Sequence, residues 1–175
     1  MKLRTRKVVL SGLFLALGLL MPFITGQIPE VGNMLLPMHI PVLICGYVCG
    51  WQYGLVIGFI TPLLRSVLFG MPPMVPKAIC MAFELMVYGM VVGLAYQRMH
   101  YKKWRIYISL LLALIAGRVV WGLVAALVYG LLGINFGLGI FLTEAFVNAL
   151  PGLILQLVLI PALIFSLERA NLLEK

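Results

Sequence analysis

The chain has 175 residues, of which 63% are hydrophobic and only 10% charged, with a mean hydropathy of +1.13. That excludes a soluble globular domain, which needs far more polar surface, and points to an integral membrane protein. The formal charge of +8 raises nucleic acid as a partner, but the cations are confined to short segments between apolar runs, and this placement argues against nucleic-acid binding.

A helix rising about 1.5 Å per residue needs about 20 apolar residues to cross a hydrocarbon core of about 30 Å. Six candidate spans follow, within one membrane domain covering residues 1–175. The first is roughly 8–24, after the basic start MKLRTRK. It has no small-x-small cleavage site and runs into Pro22 and a Gln-Ile-Pro-Glu loop, so it reads as a retained helix rather than a signal peptide. Within it, Gly12 and Ala16 make a small-x-x-x-small face suited either to internal packing or to docking on another membrane protein. The loop TGQIPEVGNMLLPMH then carries Gln27, Glu30, Asn33 and His39.

The second span, roughly 38–50, is short, and the third is roughly 53–70. Gly46, Gly50, Gly54 and Gly58 recur every four residues across the break between them, a spacing that lets helices approach closely in lipid and is assigned to packing of these two spans. The competing reading joins residues 41–69 into one long tilted helix. The fourth span, roughly 77–97, follows GMPPMVP; the fifth, roughly 105–131, follows QRMHYKKWR; the sixth, roughly 141–167, follows GINFGLG.

Charge decides between six spans and five. With six and the N-terminus inside, MKLRTRK, QRMHYKKWR and ERANLLEK all fall inside, carrying ten of the thirteen cations. With five, QRMHYKKWR falls outside, against the positive-inside bias. The expected fold is therefore an all-α bundle of six transmembrane helices with cytoplasmic N- and C-termini. The basic clusters are topology signals and contacts for membrane lipid headgroups. Trp51, Tyr53, Tyr101, Trp104 and Tyr107 fall at the inner interface as an aromatic belt. Cys45, Cys49 and Cys80 lie in apolar runs without third or fourth ligands nearby, so they read as buried thiols and neither a metal nor a cofactor is expected.

The remaining cations are Arg65, Lys77 and Arg118, and two carboxylates, Glu84 and Glu144, lie within spans. Charges at membrane depth are costly and face a protein interior or a watery cavity. Glu84 lies seven residues beyond Lys77, which returns it to nearly the same helix face. Glu144 and Asn148 are four apart and share a face. Arg118 and Trp121 sit in the fifth span. Two readings stay open: Arg65 with Glu84, or Arg118 with Glu144, form internal ion pairs, or the set lines a small-molecule site under the Gly- and Pro-rich outer loops. Three cations against two carboxylates leave one positive charge over, which hints at an anionic or carboxylate-bearing ligand.

The segment LPMHIPVLICGYVCGWQYGLVIGFITPLLRSVLFG and the Gly12/Ala16 face resemble the S components, the substrate-binding membrane subunits of energy-coupling factor (ECF) vitamin transporters, in particular the riboflavin- and pantothenate-type branch. The resemblance covers essentially the whole chain. It implies a multi-pass protein of the bacterial plasma membrane that captures a vitamin or related micronutrient from outside and is not an enzyme. It further implies docking through Gly12 and Ala16 on a transmembrane coupling subunit of the EcfT type with two ECF ATPases, followed by toppling to release the ligand inward. In the family this docking face is Ala-x-x-x-Ala; here Gly12 replaces the first alanine. Asn33, His39, Arg65, Lys77, Glu84, Arg118, Trp121, Glu144 and Asn148 are the expected substrate-binding residues. Pantothenate would use the spare positive charge, riboflavin the aromatic residues, and pyridoxine-type ligands stay open.

No G-x-x-x-x-G-K-[ST] stretch occurs, so ATP hydrolysis falls to partners. The rival classes are a self-contained carrier, which lacks a clear inverted repeat, and a small membrane enzyme using His39, Glu84 and Glu144, which lacks H-E-x-x-H or a nucleophile elbow.

Overall fold

A computed structural model describes residues 2–24, 34–99 and 104–170. Among these the chain is all-helical: α1 (Lys2–Ile24), α2 (His39–Cys49), α3 (Trp51–Phe69), α4 (Ile79–Arg98), α5 (Arg105–Leu131), the short α6 (Leu138–Leu142) and α7 (Leu150–Arg169). Five of the helical stretches are long and apolar enough to cross a membrane, and α2 is a shorter apolar helix. Large apolar side chains such as Leu13, Val67, Ile115, Leu123 and Val158 are exposed on the outside of the bundle, the surface a protein offers to lipid rather than water.

The reversal between α2 and α3 turns on Gly50, whose φ of 98° only glycine adopts without strain. A Cβ at Gly54 would lie 2.9 Å from the Cα of Gly46. Eight residues along one straight helix would separate those positions by about 12 Å, so the chain folds back at Gly50 and residues 41–69 do not form a single helix.

The four-residue glycine repeat does more than join these two helices. Gly46 and Gly54 both abut the carbonyl oxygen of Gly89 on α4, at 2.6 Å from the Cβ each lacks, and Gly93 abuts Trp51. Gly58 abuts the backbone of Leu85. The repeat predicted to pack spans two and three on each other thus seats both on α4, through two further glycines outside the repeat. α4 becomes the central helix, touching α2, α3 and α5. α7 is held more sparsely, against α2 and α5.

Two departures from regular helix frame one end of the bundle. A π-helical turn, Met74–Ala78, leads into α4, with non-helical Val75 inside it. A second, Thr143–Val147, follows α6. The sixth predicted span, 141–167, is therefore not one continuous helix. Pro151, near the start of α7, has no N–H to continue the ladder from the preceding turn. At the opposite end Arg105 pairs with Glu168 and lies 4.3 Å from the centre of the Tyr96 ring. The Tyr47 hydroxyl donates to the carbonyl of Ile106 at 2.8 Å and lies 2.9 Å from the Ser109 hydroxyl. These contacts tie α2, α4, α5 and α7 together there.

Arg65 is buried, but it does not face Glu84. Its guanidinium donates to the Leu19 carbonyl and lies 5.0 Å and 5.3 Å from the ring centres of Phe23 and Phe69. It is a clamp between α1 and α3, of the cation–π kind that strengthens when desolvated. The expected Arg65–Glu84 neighbourhood is corrected accordingly: both residues lie near one end of the bundle, but they point to opposite sides of it.

Placing a side chain at Gly89 forces the α2–α3–α4 crossing apart. Gly89→Val should lower stability by about 1–3 kcal/mol or more, read as the thermal midpoint of the purified protein in detergent. Gly12→Val, at a position with nothing within 4 Å of its Cβ, should leave that midpoint unchanged.

Candidate substrate-binding site

At Gly117 α5 receives a side chain of α4. The ring of Tyr88 occupies the space a Cβ at Gly117 would need. The next residue, Arg118, is thereby brought against α4, where its Nη1 lies 3.1 Å from Oε1 of Glu84. Tyr88, one turn beyond Glu84 on the same helix face, donates its hydroxyl to the same oxygen at 2.9 Å. His39, the first residue of α2, completes the cluster: its ring centre is 5.5 Å from that of Tyr88 and its Nε2 is 3.7 Å from Oε2 of Glu84, beyond hydrogen-bond range. All are buried, with His39 at 0%, Glu84 at 1% and Arg118 at 4% exposure.

The cluster forms the floor of a cavity of about 240 Å³. One wall is aromatic. Trp121, one turn on from Arg118, stacks on Phe141 with ring centres 6.1 Å apart and meets Phe136 edge-on at 5.9 Å. Phe136 in turn stacks on Tyr129 at 5.2 Å. Gly122 leaves room for the Phe141 ring, which a Cβ there would strike. These contacts lay the segment from Leu132 to Phe141 back along α5. Lys77 and Glu144, one on each π-helical turn, are exposed and also line the cavity.

Six expected residues thus converge: His39, Lys77, Glu84, Arg118, Trp121 and Glu144. Asn148 stands beside them, donating to Oε1 of Glu144 at 3.2 Å, and is exposed. Arg65 lies outside the lining, on the α1 side. Asn33 is outside the described residues. Gly12 and Ala16 are exposed on the outer face of α1, while Ser11 and Gly18 face inward. The expected alternative pairing of Arg118 with Glu144 is corrected: Arg118 is engaged with Glu84, one helix away and buried, whereas Glu144 sits at the exposed rim. Tyr88 and Tyr129 escaped the sequence reading. The signal for Tyr88 was its position four residues after Glu84 on one face. Gln156, the one polar side chain in LPGLILQLVLIPALIF, was also missed; it is fully buried on α7, and neither amide atom has a partner among the described residues.

Several buried polar atoms at the cavity are unmet. Arg118 Nε and Nη2 and both ring nitrogens of His39 have no hydrogen-bond partner among the described residues. Buried polar groups are ordinarily paired, so such exceptions call for an account. A second cavity, of about 390 Å³, lies at the other end between Arg4, Lys7, Gln52 and Gln97. It is larger, but no unmet buried group lines it among the described residues; size alone does not favour it.

Residues 6–167 match the family described as ECF transporter, substrate-specific component. The chain belongs to this family. No curated protein and no solved structure matches it. An ECF S component is a substrate-binding subunit of a membrane transporter rather than an enzyme, and it works with a membrane coupling subunit and ATPases. The apolar helices and the family together make this S component a multi-pass plasma-membrane protein.

The Glu84–Arg118 pair gives a stability test. Removing one partner of a buried pair strands the other charge and costs about 3–5 kcal/mol, whereas replacing both is far milder. Glu84→Gln and Arg118→Met should each lower the thermal midpoint of the ligand-free protein strongly, and the double variant should recover much of the loss. Additive losses would show that the two side chains do not act as a pair.

Proposed function

We propose that this S component captures a small micronutrient of the vitamin type in the cavity floored by Glu84 and Arg118, from outside the cell. It then delivers the molecule inward by toppling when docked on the coupling subunit and two ATPases. The observation that carries the reading is the set of buried polar atoms of Arg118 and His39 left unmet among the described residues, around a cavity with an aromatic wall, because small-molecule sites are mostly apolar pockets with a few convergent polar groups.

Orientation follows from charge. Arg4, Arg98, Arg105 and Arg169 lie at the helix ends away from the cavity. The positive-inside bias makes that end cytoplasmic and the cavity outward-facing. In this reading α2 and α3 cross separately, which gives six spans with both termini inside. The Gly50 reversal supports that count. The outer face of α1, open at Gly12 and Ala16, is the proposed docking surface for the coupling subunit. Small side chains there allow the close backbone approach that helix association in lipid relies on.

The decisive experiment is uptake in proteoliposomes. The S component alone should bind the small molecule that co-purifies with it and should not transport it. Adding the coupling subunit and ATPases should give ATP-dependent uptake. Gly12→Leu with Ala16→Leu should abolish uptake and leave binding intact. Full-rate, ATP-independent uptake by the S component alone would overturn the proposal in favour of a self-contained carrier.

A further inference from the structure

The guanidinium of Arg118 has two faces of use, and only one is taken. Nη1 is engaged by Glu84. The two unmet atoms, Nε and Nη2, lie on one edge of the planar group, where their N–H bonds run parallel as a fork. That edge fits a planar pair of adjacent acceptors. Two chemistries offer such a pair: a carboxylate, or a ring nitrogen beside a carbonyl, as arginine meets on the edge of guanine.

Charge separates them. Among the described residues the lysine, arginine and carboxylate side chains of the lining are Lys77, Arg118, Glu84 and Glu144, two of each sign, and Arg65, one of the three cations counted within the spans, clamps α1 to α3 instead. Arg118 is the buried cation of the lining, and Glu84 already compensates it at 3.1 Å. A ligand carboxylate on the fork would place a second anion on the same guanidinium. Lys77, at the exposed rim, is the other lysine or arginine in the lining. A buried anion without its own cation is strongly disfavoured at membrane depth.

The wall beside the fork is flat. Trp121 is one helical turn from Arg118 and is held by Phe136 and Phe141. The cavity volume of about 240 Å³ lies below the range of about 300–1,000 Å³ typical of sites for drug-sized molecules, which suits one or two fused rings. Resting on the functional reading above, we infer that the transported molecule is recognised through an uncharged flat heterocycle. It docks an adjacent ring-nitrogen and carbonyl pair on the Nε/Nη2 edge of Arg118, with a ring face along Trp121.

The test uses the full-length protein, stripped of bound molecules and reconstituted, with four probes. Hypoxanthine and lumazine are uncharged two-ring systems with the required edge; nicotinate and quinoline-2-carboxylate are flat anions with a carboxylate instead. At least one uncharged probe should bind saturably, and the two carboxylates should bind about 30-fold more weakly or worse. Arg118→Lys keeps a cation for Glu84 but removes the fork, and should weaken the uncharged probe about 30-fold while the protein stays monodisperse. Trp121→Leu, which leaves the ion pair untouched, should weaken it about tenfold. Should Arg118→Lys fail to fold, the probe ranking on the unaltered protein and Trp121→Leu still decide. The inference is overturned if a carboxylate binds as tightly as the uncharged probes, if none of the four binds, or if Arg118→Lys binds like the unaltered protein. The co-purified molecule, identified by mass spectrometry after denaturation, separates the two levels. One whose only paired acceptors are a carboxylate overturns this inference and leaves the transport reading standing. Uptake that needs no coupling subunit or ATPases overturns the transport reading itself.

Discussion

The ring of Tyr88 lies against Gly117, where any larger residue would hold α4 and α5 apart. That single contact sets the depth at which Arg118 meets Glu84. It also places Trp121, one turn further along α5, beside the same cluster. The aromatic stack of Trp121, Phe136, Tyr129 and Phe141 then lays the segment after α5 over the cavity. The site is therefore a consequence of close helix approach. Without the small residue at 117 the guanidinium would be held off the carboxylate, and neither charge would be compensated at a depth where both are costly to bury.

The helical class and most helix positions were legible in the sequence because the membrane imposes a length and a composition on each crossing. The Gly50 break was legible too, since charge placement on QRMHYKKWR argues against a single helix over 41–69. What periodicity could not give was partner choice. Arg65 and Glu84 sit on consecutive spans at similar depth, and depth alone made them neighbours. The azimuth of each side chain around its helix decides whether they meet, and this depends on which faces the glycines bring together. Gly54 and Gly58 seat α3 on α4 in an orientation that turns Arg65 toward Leu19 and Phe23. In the same way Glu144 and Asn148 were rightly put on one face, but the π-helical turn under them and the interruption before Pro151 leave no mark in hydropathy.

The displacement of Arg65 changes the chemistry expected of the site more than any distance does. Counted along the sequence, the intramembrane groups carry one positive charge over. Among the described residues around the cavity, two lysine or arginine cations face two carboxylates. The charge that seemed available for a ligand anion instead holds the end of α1 through two aromatic rings and a backbone carbonyl. A guanidinium suits that position better than an ammonium would, because it is planar, weakly hydrated and able to stack. Formal charge from composition is thus a poor guide to ligand charge in a membrane protein, where a cation can be stabilised by ring faces as well as by carboxylates.

Leaving buried donors unmet destabilises a protein, so the rest of the fold must offset the cost. In lipid that offset cannot come from hydrophobic burial between helices; packing and polar contacts must supply it. The structure divides the two tasks along its length. Toward the end bearing Arg105, the glycine crossing of α2, α3 and α4, the Tyr47 contacts with Ile106 and Ser109, and the Arg105–Glu168 pair form a closely packed region in which Arg105 Nε is left unmet among the described residues. At the cavity end the helices begin in wide turns, and His39, Arg118 and Gln156 are buried with unmet groups. The stable half positions the strained half, and occupancy of the cavity by a molecule with matching acceptors removes part of the strain. Binding at the proposed site would stabilise the fold, so affinity and packing would draw on the same contacts.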